Sequence, residues 1–176
     1  MFEKRFSREG SIYATIKYLI DHKIYSLEQN LTKDNLKDPK LNLKDAHLVI
    51  GLEPYETFAN LKYYSEKTVI ILNVHSFDSK FTQHALKKKI GIPSIGCIVD
   101  ILDQLVRRII ALDIYELATS LFQTEECVPM IILGLATKEF KEILNKKKMI
   151  ESINKEIPQG TKLVEAFQYG FDLIEY

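Results

Sequence analysis

Three short aliphatic runs constrain the fold of this chain more than anything else in it: AHLVIGLE (residues 46–53), TVIILNV (68–74) and RRIIALDI (107–114). Each is nearly continuous in apolar residues and bounded by charge or polarity. Strands of that kind need cover on both faces, which is the mark of a parallel sheet held between helical layers. The intervening segments carry helical signals. Pro54 stands at a helix start with Glu56 in the first turn, and Tyr55, Phe58 and Leu61 follow at helical spacing. SKFTQHALKKKIG (79–91) reads as a helix ending near Gly91. Pro93-Ser94 opens a helix that places Ile98, Ile101, Leu102 and Leu105 on one face, and YELATSLFQ forms another directly after the third run. From Cys127 to about Lys147 the pattern is helical, with Pro129 near the start and Gly134 inside. MIESINKEI and KLVEAFQYGFDLIEY are two further helices, separated by PQG. Alternating strands and helices define the α/β class with a mainly parallel sheet.

Before the first run, SIYATIKYLI (11–20) alternates and reads as a strand, with IYSL (24–27) as the returning arm of an N-terminal hairpin. Residues 30–45 are polar, carry Pro39 and read as a connection. A chain of 176 residues, 46% apolar, suits one domain with one core, spanning 1–176. Its zero net charge does not suggest a nucleic-acid binder, and the lysine runs 87–89 and 146–148 read as solvated helix ends where cations favour the C-terminal dipole. Cys97 and Cys127 form no C-x-x-C pair, so a structural zinc or an iron–sulfur cluster on this chain is not expected. They read as buried thiols in a reducing cytoplasm. The start, MFEKRFSREG, lacks a following apolar stretch of the signal-peptide kind, and VPMIILGLA (128–136) is too short to span a bilayer. A cytoplasmic location away from membranes is the expectation.

The usual site chemistry is sparse. The seven glycines form neither G-x-G-x-x-G nor a P-loop, and no two of the four histidines form an H-x-x-x-H pair. Candidates come from the ends of the strands instead. Glu53 ends the first aliphatic run at the edge where α/β sheets bind ligands, or else caps the helix behind it. Asn73 and His75 end the second run and Asp113 the third, on the same edge. SREGS (7–11) is an Arg–Gly turn that either holds an anion or merely reverses the chain. Arg8, Gly10, Ser11, Glu53 and Asn73 are therefore the site-proximal candidates, without an assigned catalytic role and with no metal set.

The ordered segments SREGSIYATIKY, IYS, DAHLVIGLEPYETFANLKYYS, TVIILN, IPSIGCIVDILDQLVRRIIALDIYELA, MIILGLATK and EAFQYGFDL resemble the gamma-type domain of 2-oxoacid:ferredoxin oxidoreductases, the pyruvate/ketoisovalerate oxidoreductase gamma domain. Within that family the chain is most similar to the beta subunit of indolepyruvate ferredoxin oxidoreductase. The Gly-Leu-Glu-Pro after the first aliphatic run is the best single piece. The resemblance implies a Rossmann-like fold and one subunit of an oxidative decarboxylation machine. A larger partner would carry thiamine pyrophosphate and iron–sulfur clusters, coenzyme A would be co-substrate, and electrons would pass to ferredoxin. Arg8, Gly10, Ser11, Glu53 and Asn73 would lie near substrate or coenzyme A.

Departures from the family pattern frame an alternative. The family's opening strand and glycine-rich turn have no counterpart, Glu9 replaces a glycine of an R-G-G-S motif, and Pro129 and Leu163 stand where asparagines are usual. These changes suit a degenerate, non-catalytic interaction protein that retains the fold. They also imply an N-terminally incomplete sheet. Either Met1 is internal to a longer reading frame, or the missing layer comes from another chain, a second copy or the partner subunit.

Overall fold

The computed structural model describes residues 2–6, 12–16, 41–75, 91, 93–158 and 160–174, the first two segments as backbone only. Strands β1 (Phe2–Phe6) and β2 (Ile12–Ile16) form an antiparallel pair with Phe2 opposite Ile16. β2 lies within the strand expected over 11–20. Residues 24–27, expected as its returning arm, lie outside the described residues, as do the expected helix over 79–90 and the lysines 87–89.

Among the described residues the main sheet has three parallel strands in the order β3 (Leu48–Gly51), β4 (Val69–Asn73) and β5 (Arg108–Leu112). Leu48 pairs with Val69, and Val69 with Arg108. The chain is thus of the α/β class. The helices are α1 (Pro54–Ala59), α2 (Ile95–Leu105), α3 (Ile114–Phe122), α4 (Val128–Glu139), α5 (Lys146–Glu156) and α6 (Thr161–Asp172).

Central β4 is buried along its whole length, as its composition requires. Its side chains alternate between two cores. Ile70 and Leu72 pack with Tyr55, Tyr64, Ile98, Leu102 and Val106, from α1, α2 and the segments after them. Ile71 points the other way and joins Ile110, Ile114, Ala118, Ile131 and Ala166, from β5, α3, α4 and α6. Each isoleucine or leucine among them that is fully removed from water contributes about 1.5–3 kcal/mol.

β3 departs from the expectation of burial on both faces. It is an edge strand of this sheet, and Ile50 is 45% exposed with Leu52 beyond it 57% exposed. Among the described residues β3 has a neighbouring strand on one side, β4, so the same aliphatic composition that buries β4 leaves Ile50 partly exposed.

Three other expectations are corrected. The helix expected to run from Cys127 to about Lys147 ends at Glu139, and Lys146-Lys147-Lys148 open α5 rather than closing a helix. They sit at the positive end of a helix dipole, a location unfavourable to cations. Asn145 offsets this by capping α5, its side chain accepting from the Lys148 nitrogen at 3.1 Å. Lys146 Nζ also lies 4.0 Å from the Phe171 ring centre and 3.4 Å from Asp172 Oδ1. Cys97, expected to be buried, is exposed on α2, whereas Cys127 is buried.

α4 and α6 cross at two glycines. A Cβ on Gly134 would meet the Phe167 carbonyl oxygen and the Phe171 nitrogen, and one on Gly170 would meet the Ile131 carbonyl. The backbones touch there because neither residue has a side chain.

Candidate functional site

The C-terminal edge of β3, β4 and β5 brings Glu53, Asn73, His75 and Asp113 to one end of the sheet. The segment Gly51-Leu52-Glu53-Pro54 is a built turn. A Cβ on Gly51 would collide with Thr57 Oγ1 and press on Leu72 Cδ1 at 2.8 Å, so only glycine lets α1 fold back this tightly. Glu53 caps α1, its Oε2 accepting from the Glu56 nitrogen at 2.8 Å, and Pro54 sits at the first helical position. Thr57 Oγ1 donates to the Glu53 carbonyl at 2.7 Å, and the Tyr64 hydroxyl donates to the Thr57 carbonyl at 2.7 Å. Burial pushes the Tyr64 phenol up to about 12. Tyr55 reaches across to donate to the Pro93 carbonyl at 3.3 Å.

Glu53 is thus a helix cap first. Its other oxygen, Oε1, is enclosed without a hydrogen-bond partner. Burial raises the carboxyl above its ordinary value, against the lowering effect of the Glu56 and Tyr55 backbone N–H groups.

Asn73 is only 2% exposed and ties three elements together. Its Oδ1 accepts from the nitrogens of Ile114 at 2.9 Å and Tyr115 at 3.3 Å, and its Nδ2 donates to the Leu52 carbonyl at 3.2 Å. Asp113 caps α3 through Oδ1, which accepts from the Glu116 nitrogen at 2.8 Å. Its Oδ2 lies 3.2 Å from His75 Nδ1, and the His75 ring stacks on Tyr115 with centres 4.4 Å apart.

These caps determine what the edge can do. In many α/β folds the amides at helix N-termini after the strands hold phosphate. Here Glu53 takes the Glu56 amide of α1, and Asn73 and Asp113 take the first amides of α3. Those amides are engaged by the chain's own side chains, so neither helix start offers them to a phosphate.

Beside Asn73 lies an open recess of about 240 Å³, lined by Leu52, Asn73, Tyr115, Glu125, Val128 and Pro129. Its walls are mainly apolar. A larger hollow of about 430 Å³ is lined by Lys146, Lys147, Ile150 and Glu151, all from α5, and converges on no polar constellation.

Of the sequence candidates, Glu53 and Asn73 come together through Leu52. Arg8, Gly10 and Ser11 lie outside the described residues. Sequence reasoning placed Glu53, Asn73, His75 and Asp113 on one edge but missed the Asp113–His75 contact and the recess. The strand register could have suggested the contact, since β4 and β5 end together. Nothing local signals the recess, which needs α4 brought back to the sheet edge. Among the described residues no group of three or more His, Cys, Asp or Glu is placed to hold a metal ion. No helix among them is long and apolar enough to cross a membrane. Comparison with known proteins finds no matching family model, no matching curated protein and no matching solved structure.

Proposed function

We propose that this chain is a gamma-type subunit of a thiamine-dependent 2-oxoacid:ferredoxin oxidoreductase of the indolepyruvate kind. The observation that carries the reading is the Gly51–Thr57 turn. Three residues of the Gly-Leu-Glu-Pro motif, the strongest piece of the resemblance, shape this turn together with Thr57. Gly51 permits the close approach, Glu53 caps, Pro54 starts α1 and Thr57 locks the turn to Glu53. The parallel order of β3, β4 and β5 is compatible with the Rossmann-like arrangement that the family would have, in which a further strand and glycine-rich turn complete the sheet.

In this reading the larger partner carries thiamine pyrophosphate and iron–sulfur clusters, coenzyme A is the acyl acceptor, and ferredoxin takes the electrons. This chain's own contribution is positional. The site would be cytoplasmic, and Arg8, Gly10 and Ser11 remain candidates for contact with substrate or coenzyme A.

A second reading, a non-catalytic interaction protein that keeps the fold, is favoured by the capping of α1 and α3. An edge whose helix amides are already engaged does little chemistry by itself. Reconstitution separates the two. The large subunit is assayed for indolepyruvate- and coenzyme A-dependent ferredoxin reduction with and without this chain. The first reading predicts a rate that depends on its addition; an unchanged rate, with the two chains bound to each other, supports the second.

A further inference from the structure

The outer edge of β3 presents backbone groups that its own sheet does not use. In a parallel ladder, alternate residues of a strand turn both N–H and C=O to the same neighbour. The Val69 nitrogen donates to the His47 carbonyl at 2.8 Å, and Leu48 is in register with Val69. His47, Val49 and Gly51 therefore face β4, and the N–H and C=O of Leu48 and Ile50 point the other way. Among the described residues no strand pairs with that side.

The edge is also unguarded. Natural edge strands discourage pairing with proline, lysine or a bulge. Leu48–Gly51 contains only Leu, Val, Ile and Gly, in unbroken register with β4. Ile50, 45% exposed, lies on the same sheet face as Leu48, whose side chain packs on the Ile71 core.

This strand is its own complement. Two copies related by a two-fold axis perpendicular to the sheet meet antiparallel. Centred on Val49, the pairing sets Leu48 of each copy opposite Ile50 of the other. Each such pair exchanges both of its hydrogen bonds, so every outward N–H and C=O of Leu48 and Ile50 is met. The exposed Ile50 side chain is then covered by a leucine. His47 falls opposite Gly51, which has no side chain to crowd it. Centring on Ile50 instead would match Leu48 with Leu52, whose carbonyl Asn73 already holds. The charges fit the same orientation. The Glu53 end of one copy comes beside the end that carries Lys44 and His47 with Asp45, rather than beside a second Glu53.

We infer that a second copy of this chain docks on the β3 edge, joining two three-stranded sheets into one continuous sheet through antiparallel Leu48–Ile50 pairs about Val49. The inference does not depend on the subunit reading, since both surfaces belong to this chain.

The test uses the full chain and reads its mass by sedimentation equilibrium over a concentration series. Wild type is expected to pass from 20.4 kDa toward twice that mass. Ile50→Pro removes an outward N–H that β4 does not use, and Ile50→Lys charges the edge. Each should need about tenfold more protein to associate. Leu121→Lys, at a 53% exposed side chain of α3, should associate like wild type. Circular dichroism checks folding, and Ile50→Lys carries the test if the proline variant does not fold. Cross-linking reads the register. In a Cys97→Ser background, Val49→Cys sets two thiols on residues whose Cα atoms lie about 4.5 Å apart, within disulfide reach. It should give a disulfide-linked dimer, and Leu121→Cys should not. A wild type that stays monomeric overturns the proposal; protection of its Leu48 and Ile50 amides from hydrogen exchange would assign the edge to another segment of this chain. A dimer that the Ile50 substitutions leave intact, or that Val49→Cys does not cross-link, overturns it as well.

Discussion

Asn73 Oδ1 lies 2.9 Å from the backbone nitrogen of Ile114, and that hydrogen bond ties the end of the central strand to the first turn of α3. The same side chain holds the Leu52 carbonyl of the edge strand. Asn73→Leu removes both links and leaves buried amides unmet, so it should cost about 2–4 kcal/mol, read from the urea midpoint. Asn73→Asp keeps the acceptor for α3 and loses the donor to Leu52, and its loss should be smaller. Equal stability of Asn73→Leu and wild type would remove Asn73 as the tie.

Glycines at the α4–α6 crossing and in α2 give substitutions of opposite sign. Gly134→Ala and Gly170→Ala each push a methyl into backbone atoms of the facing helix and should destabilise by about 2 kcal/mol or more. Gly96, exposed in α2 with Ser94 Oγ its nearest neighbour at 4.0 Å, has room for a methyl. Gly96→Ala should stabilise by about 0.5–1 kcal/mol through helix propensity. Thermal melts of the three variants check both signs.

α5 begins against its own dipole, with Lys148 exposed in its first turn behind Asn145. Lys148→Glu places an anion there instead and lets the side chain reach back toward the cap. Stability should rise by about 0.3–1 kcal/mol at low ionic strength, with the gain shrinking in salt. A fall in melting temperature would contradict the dipole argument.

Glu53 predicts a pH dependence. Its folded carboxyl is raised above the ordinary value of 4.5 by burial. The folded state therefore holds this proton more tightly than the unfolded chain. The contribution is complete below the unfolded value and is lost as pH rises through the folded one. Glu53→Gln keeps an oxygen for the cap and never ionises. Its stability relative to wild type should rise as pH is taken upward from about 4 toward neutrality, read as a difference in urea midpoints. A difference that is flat with pH, or falls, would show that the cap outweighs the burial.

The sequence was most informative where one element decides its own structure. The aliphatic runs located β3, β4 and β5, and Pro54, Ser94 and Pro129 marked helix starts through local backbone chemistry. It was least informative where partners are distant. Whether an aliphatic strand is buried depends on its place in the sheet, so Ile50 and Ile70 read alike while only Ile70 is enclosed. Gly134 reads as a glycine inside a helix, and nothing local shows that it and Gly170 face each other where two helices cross. Lys146 and its neighbours read as a helix end because the break at residues 140–145 has no proline or glycine to announce it. Glu53 was legible as either cap or ligand group, and only the 2.8 Å contact to Glu56 decides the first role.

The central claim, that this 20.4 kDa chain works as one subunit of a larger oxidoreductase, is tested most directly by native mass spectrometry after co-expression with a thiamine-dependent large subunit. The account predicts a stable hetero-complex containing both chains and thiamine pyrophosphate. A well-folded 20.4 kDa monomer, with the large subunit migrating separately, would contradict it.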